Sequence, residues 1–155
     1  LTSIVVGLLV DNEMLDYGER IAQVWPEYRA GGKEEGTLAH LMRHELGLPM
    51  LSSSLDPLDF SRDNIKRRNV LCGVYLVFTA TLRSNLLGAQ VESESYAWPP
   101  GSRREYHVIS RGLIANEVVR RVDPRGRTVG QILRYHISEP LGADAFIGLN
   151  DDGEN

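Results

Sequence analysis

Trp98-Pro99-Pro100-Gly101-Ser102-Arg103-Arg104-Glu105-Tyr106-His107, with the run it opens from Val108 to Val122, is the stretch from which the rest of the chain can be read. Consecutive prolines fix the backbone and a following glycine supplies the freedom to turn, so Trp98 to Gly101 reads as a rigid corner. Beyond it, Val108, Gly112, Ala115, Val119 and Val122 recur at spacings of four and three, which predicts an amphipathic helix with one apolar stripe. Gly112 and Ala115 would let a neighbouring helix approach that stripe closely. Tyr106 then stands at the start of the helix, where N-terminal amides can surround its hydroxyl. Such a tyrosine is ordinarily a half-buried packing residue with a wet hydroxyl, and its position alone does not make it catalytic.

Downstream, Asp123-Pro124-Arg125-Gly126 ends the helix, and Thr128-Val129-Gly130-Gln131 forms a capping box for the next one. Ile132, Leu133 and Ile137 give that second helix a buried face, and Pro140 is expected to stop it. The tail from Asn150 to Asn155 is acidic and expected to fray.

Upstream, Leu1-Thr2-Ser3-Ile4-Val5-Val6-Gly7-Leu8-Leu9-Val10 is an aliphatic run that period alone leaves open between strand and helix; a buried helix is favoured. With neither Met nor a basic region ahead of it, the run reads as the interior of a domain and not as a secretion signal. Asp16-Tyr17-Gly18-Glu19 has the form of a capping box, predicting a short helix to about Trp25 that stops at Pro26. Gly31-Gly32-Lys33-Glu34-Glu35-Gly36 lacks the preceding strand and Gly-Lys-Ser/Thr ending of a phosphate loop and is read as a flexible connection. Thr37 caps a helix with Leu38, Leu41 and Met42 on its apolar face, terminated by Gly47 and Pro49. His44-Glu45 would suit a zinc protease only with a second histidine at position 48, which is Leu48. His40 and His44 lie one helical turn apart, but without a third ligand they are read as structural histidines. Ser52-Ser53-Ser54 carries neither a nucleophile elbow nor a lysine three residues on, so no nucleophile is assigned there. Ser61 is a candidate cap for a short basic helix to Arg68, with Lys66-Arg67-Arg68 as its solvated face.

The stretch Val70 to Ala80 is apolar but too short to span a membrane, which takes about 20 residues, and Arg83 interrupts its continuation. Exposed, such a run would promote association into a homo-oligomer. A net charge of −4 provides no basic field for nucleic acid or an anionic membrane, and 42% apolar with 25% charged residues is ordinary for one small globular domain. The lone Cys72 excludes an intrachain disulfide and fits a reducing, intracellular compartment.

Several of these segments resemble the serine β-lactamase-related family, which comprises class C β-lactamases, related carboxylesterases and eukaryotic β-lactamase-like proteins. They are Trp98-Pro99-Pro100-Gly101, the run Tyr106 to Ile114, Arg120-Arg121-Val122-Asp123 and Pro140-Leu141-Gly142-Ala143-Asp144. Trp25-Pro26-Glu27-Tyr28 is similar to a "WPEF"-like turn, and Thr37, Leu41, Met42, His44, Gly47, Leu48 and Pro49 match the family's T-x-x-x-L-L-x-H-x-x-G-L-P segment. The resemblance covers Leu1 to about Asp63 and Ala97 to Leu149; residues 70–95 depart from the pattern and are a candidate insertion. It implies an α+β, β-lactamase/transpeptidase-like fold, of which residues 1–155 would be a partial domain holding mainly the helical part.

The resemblance further implies a serine hydrolase acting on a small-molecule ester or amide through an acyl-enzyme, with no cofactor and no metal. Tyr106 would be the catalytic acid/base, and His107 and Arg103 substrate-binding residues. The family's Ser-x-x-Lys occurs nowhere in the chain, nor does its His/Lys-Thr-Gly strand motif, so the nucleophile is expected ahead of Leu1. The 155 residues alone are expected to be inactive. His107 has a competing reading as a solvent-facing helix residue. Val108 stands where β-lactamases have Asn, which favours ester or amide hydrolysis over β-lactam hydrolysis. The alternative function is a non-catalytic helical scaffold of the same fold.

Overall fold

The computed structural model describes residues 1–52 and 86–148. Helix α1 (Thr2–Asp11) buries Val5, Val6 and Leu9 on one face, while Ile4 on the other stays half exposed. The aliphatic opening is helical as expected, but one-sided.

Asp16 does not cap a helix. Its Oδ1 accepts from Gly18 N at 2.6 Å, a local turn, and α2 (Ile21–Val24) begins only after Arg20. Residues 19–21 are committed to extended pairing: Arg20 bridges Thr37 in antiparallel sense, Ile21 N donates to Gly36 O at 2.9 Å and Leu38 N to Glu19 O at 3.0 Å. Pro26 ends α2 as expected and opens a 3-10 turn, Pro26–Arg29, which brings the Tyr28 ring 5.4 Å from Trp25.

The glycine-rich loop is anchored, which corrects its reading as a flexible connection. Lys33 is wholly buried, and its Nζ donates to the backbone oxygens of Ala30, Glu92 and Glu94. Burial pulls the ammonium below its ordinary value, against the opposing pull of Glu94, Glu92 and Glu34. Three carbonyls satisfy all three of its donors, which makes the burial tolerable.

Helix α3 (Leu38–Met42) carries the expected cap, with Thr37 accepting from His40 N at 3.2 Å. It ends at Met42, short of Gly47. Helix α4 (Leu86–Ser93) packs Val91 into the core and offers Glu92 to Trp25 Nε1 at 2.7 Å. The central helix α5 (Ser110–Val122) starts two residues later than expected and is rotated about its axis. Ile114, Ala115, Val118 and Val119 are buried, whereas Val108 is 68% exposed and Gly112 faces open space.

Helix α6 (Val129–Leu133) has the expected capping box, Thr128 accepting from Gln131 N at 3.2 Å and Gln131 Oε1 from Thr128 N at 2.9 Å. It continues into a π-helical turn (Arg134–Ser138) and then α7 (Glu139–Leu141). Pro140 therefore does not stop the helix. The helix runs one residue past it, to Leu141, and the chain turns at left-handed Gly142, φ 59°.

Trp25, Tyr28, Leu41, Leu46, Ile114 and Leu133 are fully buried at the centre, each contributing roughly 1.5–3 kcal/mol or more by leaving water. No described helix is long and apolar enough to cross a membrane. Ser53, Ser54, the Ser61 cap, Lys66-Arg67-Arg68, Cys72, the apolar run from Val70 and the acidic tail lie outside the described residues.

Candidate active site

The Pro-Pro-Gly corner begins a segment laced to the turn that follows α3. Ala97 N donates to Gly47 O at 2.8 Å, Gly101 N to Glu45 O at 2.9 Å and Glu105 N to His44 O at 3.1 Å. His107 N donates to His44 Nδ1 at 3.1 Å, Leu48 N to His107 Nε2 at 3.1 Å, and Ser110 Oγ to Leu48 O. Gly47 is essential to this approach: at φ +87° a Cβ would lie 2.2 Å from Trp98 O. These contacts hold residues 103–109 out of the helix, which explains the late start of α5.

Tyr106 is thus displaced from the helix terminus. It projects from the laced segment 69% exposed, its ring 4.9 Å from that of His44 and inclined at 42°. Helical amides do not surround it; a fixed backbone beneath it supplies the rigidity. An exposed phenol on a rigid base can exchange a proton with a group bound above it.

His107 faces inward and is 1% exposed, which corrects the solvent-facing alternative. Because Nε2 accepts from Leu48 N, Nδ1 carries the proton and donates to Glu105 O at 2.5 Å. Burial lowers its pKa, with Glu105 opposing, and keeps the ring neutral. Both nitrogens are occupied by backbone, so His107 shapes the site from below.

Arg103 lies outside, stacked on Trp98 at 4.8 Å and paired with Glu105 at 2.5 Å. Arg104 meets Glu45 at 2.6 Å, where its guanidinium holds that carboxyl below the usual range with help from Arg43. His40 Nδ1 accepts from Thr37 N at 3.3 Å and His44 Nδ1 from His107 N, so both are structural, as read. Among the described residues no three His, Cys, Asp or Glu side chains gather to hold a metal.

One residue of this region escaped the sequence reading. Arg111, in the first turn of α5, donates from Nη2 to Ser3 Oγ at 2.8 Å and approaches Met42 Sδ at 3.9 Å. It sets the start of α1 beside the start of α5. No sequence signal marks that contact, since its partners are 69 and 108 positions away.

The helical frame is matched in known proteins. The crystal structure of a novel penicillin-binding protein homologue from Caulobacter crescentus aligns with TM-score 0.73 at 32% identity, over 98% of this chain and 35% of that one. A family VIII carboxylesterase aligns with TM-score 0.75 at 30% identity, over 98% of this chain and 36% of that one. The esterase/β-lactamase LipL of Mycobacterium tuberculosis is 24% identical over 146 residues, 94% of this chain and 28% of the relative. The chain thus spans about a third of the length of these relatives, and its mostly helical content is the helical part of their β-lactamase/transpeptidase-like α+β fold. With the β-lactamase family model matching residues 1–154, the chain belongs to the β-lactamase family.

Proposed function

We propose that these residues supply the acid/base tyrosine, Tyr106, of a serine hydrolase that cleaves a small-molecule ester or amide through an acyl-enzyme. The serine and its lysine would be contributed from outside residues 1–155, ahead of Leu1, since the chain itself contains no Ser-x-x-Lys. The observation that carries this reading is the bond from Arg111 to Ser3. It brings the start of α1 beside the start of α5, close in sequence to Tyr106, and on this reading the groups attached just before α1 would come up beside the phenol.

A free phenol titrates near ~10 and is a poor base at neutral pH, so a neighbouring ammonium is needed to favour the phenolate. Tyr106 then takes the proton from the serine hydroxyl as the hydroxyl oxygen attacks the carbonyl carbon. It returns that proton to the departing alkoxide or amine as the bond to the leaving group breaks. Val108, exposed two residues on, offers no amide to a substrate side chain, which fits simple esters or amides better than β-lactams. Arg103, three residues before Tyr106, is the exposed cation that a substrate carboxylate would meet in exchange for Glu105. The family VIII carboxylesterase and the esterase/β-lactamase relative support an ester as substrate.

The test is fluorophosphonate labelling and p-nitrophenyl ester turnover by the complete gene product. Labelling of a serine ahead of Leu1, with turnover lowered roughly a hundredfold to ten-thousandfold by Tyr106→Phe, is the expected result. Well-folded product that neither labels nor turns over would leave the scaffold reading, and turnover by residues 1–155 alone would overturn the placement of the nucleophile.

A further inference from the structure

We infer that His44 is the positioning residue of Tyr106, one side chain and its own carbonyl bracketing the tyrosine from three sides. The inference rests on the reading of Tyr106 as the acid/base.

His44 follows α3 in the left-handed conformation, φ 62°. Its N–H donates to Leu41 O at 3.1 Å and the next amide, Glu45 N, to His40 O at 2.7 Å. This is the double closure of a helix C-terminus in which glycine is the usual residue. Glycine would make the same turn without steric strain, so ending α3 does not account for an imidazole here. The imidazole is accounted for by what it touches. His44 O accepts from Glu105 N at 3.1 Å, Nδ1 accepts from His107 N at 3.1 Å, and the ring lies 4.9 Å from that of Tyr106. The residues before and after Tyr106 are therefore bound to the same residue that its ring rests on.

Only the neutral ring can do this, because an Nδ1 that accepts cannot carry a proton. The groups around it keep it neutral. Burial lowers its pKa, and Arg111 from α5 and His107 and Arg104 from the laced segment add to the effect. The Tyr106 ring rests against it, and Glu45 on its own turn is engaged by Arg43 and Arg104. Protonation would set an Nδ1–H against the His107 N–H and release the segment.

The complete gene product is compared with its His44→Gly, His44→Asn and Tyr106→Phe variants. Glycine keeps the turn and the bond from Glu105 but removes the acceptor and the ring. The expected result is a kcat lower by roughly tenfold to a hundredfold with KM little changed, and a thermal midpoint unchanged or higher. Asparagine tolerates the left-handed turn and places Oδ1 where Nδ1 was, so part of the lost kcat returns. Wild-type kcat falls as pH drops through the lowered His44 value, and that acid limb is absent from the asparagine variant.

A wild-type kcat in His44→Gly overturns the inference. Should that variant not fold, an acid limb unchanged in His44→Asn overturns it equally. Tyr106→Phe separates the two readings. If it retains turnover, the assignment of the acid/base has failed; if it loses turnover while His44→Gly does not, only the positioning role has failed.

Discussion

At the C-terminal end of α5 the departing chain is closed by residues no more than four positions away, whereas the N-terminal end is held by partners 59 to 108 positions distant. The C-terminal closure centres on buried Asp123, whose Oδ2 accepts from Arg125 N at 3.0 Å and Arg127 N at 2.8 Å while Oδ1 takes Arg127 Nη2 at 2.7 Å. At the other end Ile109 provides no side-chain cap. Ser110, which could serve a helix start, spends its hydroxyl on Leu48 O instead. Local closure forms wherever the helix forms, while distant closure exists only once α3 and α5 are docked. The proposed acid/base thus sits at the end whose order reports tertiary structure, and a substitution there is expected to move activity more than stability. The reverse is expected at Asp123.

The largest effect on stability is accordingly expected from Asp123→Asn. Losing the carboxylate strands the Arg127 guanidinium and weakens two backbone bonds, destabilising the protein by about 3 kcal/mol in urea unfolding, with kcat of the folded fraction nearly unchanged. A pH signature accompanies it. The Arg127 hydrogen bonds, chiefly those of its side chain, hold Asp123 at about 2 against an ordinary 3.8. A carboxyl depressed on folding stabilises above its unfolded value, so this contribution is complete above 3.8, shrinks as pH falls towards about 2 and is absent from the variant. An equal loss of kcat in folded Asp123→Asn would break the contrast between the two ends.

His107→Phe probes the distant closure. An aromatic ring is kept, but the buried Leu48 N–H is left without an acceptor and Glu105 O without its donor, a loss of about 2 kcal/mol. Because burial lowers the folded pKa of His107, the unfolded chain binds the proton more readily in mildly acid solution. The native state therefore loses stability as pH falls below about 6.5, the unfolded value. Unfolding midpoints at about pH 7.5 and 5.5 should differ less in the variant than in the wild type, and a pH response identical to wild type would refute the neutral-ring assignment.

The same contrast explains what the sequence disclosed. Thr37-x-x-His40, Thr128-x-x-Gln131 and the stop at Asp123 are closures within four residues, so their residue types announce them. Lys33 looked like solvated loop because its partners, Glu92 O and Glu94 O, are 59 and 61 positions away. Nothing in the loop's composition marks an ammonium as buried. The inward face of His107 and the left-handed backbone of His44 had no local signal for the same reason, each residue being defined by the other across 63 positions. Gly47, a plausible helix stop, serves instead to let Trp98 O approach. Tyr106 was singled out by its resemblance to the family, while its tilt onto His44 had no local trace.

The smallest expected effect concerns the phase of α5 itself. The stripe expected from the spacing runs through Val108 and Gly112; the buried one keeps its Ala115 and Val119 but runs through Ile114 and Val118. The structure takes the second because residues 103–109 are held off the helix by the turn after α3, and Arg111 is held towards Ser3. Gly112 consequently lies on the open face, with nothing within 4 Å of where a Cβ would be and no left-handed φ to preserve. Replacing it with alanine removes backbone freedom from the unfolded chain and adds no clash, so Gly112→Ala should stabilise the protein by about 0.5–1 kcal/mol. Had the first stripe been correct, the same methyl group would enter a close helix contact and destabilise. The sign of this one shift in unfolding midpoint therefore distinguishes a helix rotated by its N-terminal tethers from one that simply follows its own period.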